Sequence, residues 1–191
     1  MPPPPPPSSI WKSCLPTRGA APGMSRCHAA RARLRHVADL KLFADMYHAI
    51  IVGFVQSGRA PHYTELGRRL GLRPEEARQA LHQLIGMGLP TWLHPATDWI
   101  ASFAPFANLP TQYLVSVDGQ QRWYAQCGFE SLAISWLFPG KEVRIDCPCL
   151  DCGEAISLGM RDGRLLAVDP PGVIGHVNLP AWRWRENWAL T

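Results

Sequence analysis

The sequence predicts an α+β protein: an N-terminal three-helix, winged-helix-like region followed by a mostly antiparallel sheet domain with one or two helices. Three observations carry this. From Leu34 to about Gly88 apolar residues recur at three- and four-residue spacing, the period of amphipathic helices. Near Pro110 the period drops to two, as in half-buried strands. Between these stretches a short helix, a glycine turn, a second helix and a hairpin follow in the order of a winged helix-turn-helix unit. The expected divisions are a disordered Pro/Arg-rich tail over 1–33, a helical region over 34–108 and a sheet domain over 109–191.

Each element has a local cause. Six prolines after Met1 favour an extended polyproline stretch and leave nothing to bury. Val37, Leu40, Phe43, Tyr47, Ile50, Ile51 and Phe54 define one face of a long helix, which Ser57-Gly58 ends. Thr64 and Gly71 suit the two caps of a short second helix. Pro74-Glu75-Glu76 opens a third, since proline fits the first turn and acids complement the helix N-terminus. Residues 91–100 read as a hairpin. Residues 113–117 and 122–125 are strands joined by Asp118-Gly119, a strong hairpin turn. A helix over 128–138 follows, then strands over 141–145, 155–160 and 165–168. A last strand is expected over 173–179, and a short aromatic helix at the C-terminus.

Composition and charge narrow the function. At 47% hydrophobic and 18% charged, the chain has enough apolar material for a core. Its apolar runs fall far short of the ~20 residues of a membrane span, so no membrane partner is expected. The net charge of +4 is unevenly spread: residues 1–41 hold seven Lys/Arg against one acid, and the other 150 hold twelve against fourteen. A near-neutral folded part speaks against nucleic acid, because phosphate contacts need a basic surface. If the helix-turn-helix unit did bind DNA, Arg73, Arg78, Gln79 and His82 would make the contacts. The start lacks the basic-then-apolar pattern of a secretory signal, so the thiols read as reduced and the protein as cytoplasmic.

Cysteine is where the chemistry concentrates. Cys147, Cys149 and Cys152 fall within six residues, in a loop carrying Pro148 and Gly153, and Cys127 lies upstream. Thiolates at this density suit soft metals. Zinc with Cys127 as fourth ligand is one reading, and free thiols or a disulfide are the others. Cys127 falls where a strand gives way to a helix, a position expected to lower a thiol pKa. Glu130 lies one turn further on the same face. A plain alternative is a buried structural cysteine beside a first-turn acid. His94 and His176 are isolated and read as packing or surface residues.

The run Tyr124-Ala125-Gln126-Cys127, with Glu130 three residues on, resembles the active-site segment of the organomercurial lyase (alkylmercury lyase) family, Tyr-Ala-x-Cys followed three residues later by Asp. Residues 141–145, 153–158 and the turn Val168-Asp169-Pro170-Pro171-Gly172 are similar as well, and the family's helical N-terminal region fits 36–103. The resemblance covers about 34–191. It implies cleavage of carbon–mercury bonds, with thiolates taking the mercury and a carboxyl group moving a proton to the leaving carbon. Cys127 then stands for the first cysteine and Glu130 for the aspartate. The family's second cysteine lies near the C-terminus, whereas here no cysteine follows Cys152, so Cys147, Cys149 or Cys152 would have to substitute. A structural cysteine of the family falls nearest Cys149. The resemblance implies a small organomercurial or soft metal ion as partner and no required cofactor, mercury being substrate or product. The alternative is a non-catalytic relative: a zinc-binding or winged-helix DNA-binding regulator.

Overall fold

The computed structural model describes residues 25–177 together with 180, 183 and 184, and side chains from residue 39 onward. The proline run and most of the aromatic C-terminal stretch, including the helix expected there, lie outside the described residues. The chain divides into two compact units, Met1–Lys41 and Leu42–Thr191. All that follows concerns the second, apart from the first part of one helix.

That helix, α1 (Ser25–Ser57), starts ahead of Leu34, where the apolar period begins, and stops at Gly58, whose φ of 76° leaves the helical region. Met46, Ile50 and Phe54 recur every four residues and are fully buried. Helix α2 (Tyr63–Leu70) is capped not by Thr64 but by His62, whose ring nitrogen accepts the Thr64 N–H. Gly71 closes it in the left-handed region, as expected. Helix α3 (Pro74–Gly86) opens on Pro74 and buries Ala77, Ala80, Leu81 and Leu84. The helical half of the expectation therefore holds.

Eight strands form one antiparallel sheet: β1 (Thr91–Leu93), β2 (Ile100–Phe103), β3 (Phe106–Ala107), β4 (Leu114–Val117), β5 (Gln120–Ala125), β6 (Val143–Pro148), β7 (Ala155–Arg161) and β8 (Arg164–Asp169). Their spatial order is β1-β2-β3-β5-β4-β6-β7-β8. The expected hairpin β1–β2 is present, but β2 goes on to pair with β3, and β3 with β5. The hairpin is thus one end of the main sheet, which runs across residue 108. Residues 173–177 form no strand. Pro170 and Pro171 just before them lack the N–H donors a ladder needs, and Gly175 interrupts the stretch.

Helix α1 is locked onto this sheet. Phe54 stacks on Phe106 with ring centroids 5.0 Å apart, and the Trp123 indole N–H donates to the Phe54 carbonyl at 2.7 Å. Trp123 meets Phe138 edge-on at 4.9 Å. Phe138 follows helix α4 (Gly128–Ala133) and the 3₁₀ turn Ile134–Leu137. These contacts fix the junction between β5 and α4, where Cys127 lies.

Candidate thiol–carboxyl site

Strand alternation builds the site. On β5, Trp123 and Ala125 are buried, and Cys127 keeps extended dihedrals (φ −149°, ψ 175°), so it continues towards the same face. On β6, Val143 and Ile145 are buried and Cys147 follows in the same alternation. β4 lies between these strands, with Val115 and Val117 inward and Tyr113 next in phase. Leu114 pairs with Tyr124 on one side and Asp146 on the other. One residue back, Tyr113 therefore falls between Ala125 and Cys147, and its carbonyl accepts the Ala125 N–H at 3.0 Å. Burial raises the Tyr113 pKa, and nearby Cys147 and Cys127 add to the rise. The ring thus has a thiol on either side.

Cys127 is the N-cap residue of α4. Burial pushes its thiol pKa up, the Glu130 carboxyl adds to the rise, and backbone N–H groups of Glu130 and Phe129 partly oppose it. The lowering expected from the helix start is therefore outweighed. A helix of only six residues offers few peptide dipoles, while loss of water acts on the whole thiolate charge. Cys127 rests as a thiol.

Glu130, one turn along, is the unusual group. Burial raises its pKa to about 7. Its Oε2 is buried and finds no hydrogen-bond partner among the described residues. The phenol of Tyr47, on α1, is raised by burial and then by Glu130, which places the two side chains near each other. At neutral pH about half of the Glu130 carboxyls therefore hold a proton close to Cys127.

A cleft of about 790 Å³ opens next to this segment, lined by its neighbours Gly128, Phe129 and Ser131 but not by Cys127 or Glu130 themselves. Tyr113, Gly128 and Phe129 line one side, Cys147 and Cys149 another, and His176 reaches it from the loop after β8. Cys147 is pushed up by burial, then by Asp146 and Cys149. Cys149 is lowered: the backbone N–H groups of Cys152 and Asp151 and the Cys152 thiol donate to its sulfur. All four described cysteines are free. Among the described residues no group of three or more His, Cys, Asp or Glu could hold a metal ion. The expected joint site of Cys147, Cys149 and Cys152 with Cys127 is not assembled, because β4 lies between β5, which leads into Cys127, and β6, which leads into the loop.

The alternative DNA-contacting residues are engaged otherwise. Arg73 bonds Glu76 through its guanidinium at 2.7 Å. Arg78 Nε and His82 Nε2 lie 2.8 and 2.6 Å from the two oxygens of Asp98. Gln79 is exposed on the same helix. Sequence reasoning missed Tyr113 and Tyr47. Tyr113 had a detectable signal, being in phase with the buried residues of β4. Tyr47 had none, since it meets Glu130 from a helix distant in sequence.

The α+β sheet thus brings together a half-buried thiol, a carboxyl with a pKa of about 7 one turn on, and a second thiol near the same tyrosine. Residues 106–189 match the family MerB, alkylmercury lyase. Over 72 residues the chain is 32% identical to alkylmercury lyases of Bacillus cereus and Clostridium butyricum, a stretch of 38% of this chain and 32% of each relative. The match thus spans about a third of the length of those curated relatives. The fold is similar to the mercury-bound form of MerB2, with a TM-score of 0.53 at 18% identity over 70% of this chain and 66% of that one. Over residues 106–189 the chain is thus similar to the alkylmercury lyase family.

Proposed function

We propose that the protein binds a small organomercurial at Cys127 and cleaves its carbon–mercury bond by protonolysis. The observation that carries this reading is the Glu130 carboxyl, buried, with an unpartnered oxygen and a pKa of about 7, one turn from the thiol. The Cys127 sulfur attacks mercury; its proton leaves with the displaced anion. Glu130 then gives its proton to the carbon as the carbon–mercury bond breaks. Cys147, on the other side of Tyr113, supplies the second sulfur, and its proton restores Glu130. The products are a hydrocarbon and a mercury(II) dithiolate. General acids of this kind typically contribute ~10²–10⁴-fold. The free thiols fit a reducing cytoplasm, and no described helix is long and apolar enough to cross a membrane.

A second reading is a binding protein that captures organomercurials without cleaving them. It is favoured by Tyr113 standing between the two thiols. Phenylmercury acetate separates the two. Catalysis predicts benzene release by the wild type and none by Cys127→Ser. Stoichiometric capture at Cys127 with no benzene would leave only the binding reading.

A further inference from the structure

The loop after β6 holds a thiol pair that the cleavage chemistry leaves unused. Cys149 N–H donates to the Glu154 carbonyl at 2.7 Å, and Gly153 N–H donates to the Cys149 carbonyl at 2.9 Å. Gly153 sits at φ 76°, a conformation that side-chain-bearing residues rarely adopt. This closure folds 149–153 into a tight knuckle. Inside it the N–H groups of Asp151 and Cys152 point at the Cys149 sulfur, and the Cys152 thiol hydrogen-bonds to the same atom. Two sulfurs are thus in contact, one of them already surrounded by donors that suit a thiolate. Cys149 also lines the cleft, while Cys152 is exposed, so the pair connects cleft and solvent.

The donor number selects the ion. Zinc takes four ligands, and no three-donor group is present among the described residues. Hard cations take oxygen rather than sulfur. Mercury(II) is soft and stable with two thiolates in line. We propose that Cys149 and Cys152 form a dithiol exit site that takes the mercury(II) ion from the cleavage site and presents it to solvent. The transfer is ligand exchange without redox change. The S–Hg bonds to Cys127 and Cys147 break, those to Cys149 and Cys152 form, and the two protons released by the receiving thiols return to the delivering ones. In delivering product the pair rests on the proposed cleavage, but its capacity to hold the ion does not.

The test uses mercuric chloride alone. The full chain carrying Cys14→Ser and Cys27→Ser, together with Cys127→Ser and Cys147→Ser, is loaded in competing glutathione. Bound mercury is counted after gel filtration, and its coordination is read by X-ray absorption. One ion with two sulfur neighbours is expected. Further substitution of Cys149 by Ser, or of exposed Cys152 by Ser or Ala, should weaken retention at least as much as loss of an outer-shell partner does, ~10–100-fold. Failure of the starting protein to hold mercury, or full retention after loss of Cys149 or Cys152, would overturn the proposal. Absence of benzene release from phenylmercury would sink the cleavage reading while leaving this result untouched.

Discussion

Glu130 is the residue on which kinetics and stability meet. The proposed cleavage needs its neutral form, so the rate should fall as pH rises through about 7. Glu130→Gln keeps the shape but cannot give up a proton, and should slow benzene release ~10²–10⁴-fold and abolish that pH limb. A variant that kept the wild-type rate would remove Glu130 from the mechanism. The same burial acts on stability. The folded pKa is raised above the ordinary 4.5, so the unfolded chain loses its proton first as pH rises. The stabilising contribution is whole below about 4.5, declines as pH rises and is gone above about 7, a change of at most about 3 kcal/mol. Urea titrations at pH 5 and pH 8 should show this loss in the wild type and its absence in Glu130→Gln. Such a cost is the kind a functional site bears, and the proposed cleavage would account for it by needing the acid protonated.

At the scale of elements, α3 shows why a familiar topology need not carry its familiar task. The order helix, turn, helix, hairpin was legible in the sequence, yet the side chains that would face a groove are held by acids. Asp98, in the turn between β1 and β2, takes both Arg78 and His82, and Arg73 serves the start of its own helix through Glu76. The hairpin that would be the wing is built into the sheet through β3. Replacing Arg78 and His82 together by Ala should leave the mobility of a duplex DNA probe with this protein unchanged. Reduced binding by the double variant would restore α3 as a recognition helix.

At the scale of the folded unit, stability rests on α1 packed against the sheet centre. Phe54 is fully buried, stacks on Phe106, and offers its carbonyl to Trp123. Phe54→Ala removes the ring but not the carbonyl, so the loss is one of packing. It should cost about 3–5 kcal/mol in chemical unfolding. Because Trp123 lies two residues before Ala125 and four before Cys127, the loosening should also reach the thiol, seen as faster labelling of Cys127 by a thiol reagent. Unchanged labelling in a destabilised variant would mean that the β5–α4 junction holds without α1.

Sequence by itself determined whatever depends on neighbours along the chain. The helix faces, the turns at Gly71 and Asp118-Gly119, and the one-turn spacing of Cys127 and Glu130 were all readable, because periodicity and backbone preference are local. Tertiary structure decided the rest. Strand order is not chain order: β4 enters between β5 and β6, setting Tyr113 between Cys127 and Cys147 and parting Cys127 from the loop cysteines it was expected to join. Burial likewise sums contributions from remote segments, so no local pattern announced that the Glu130 pKa would rise to about 7 or that Cys127 would rest as a thiol.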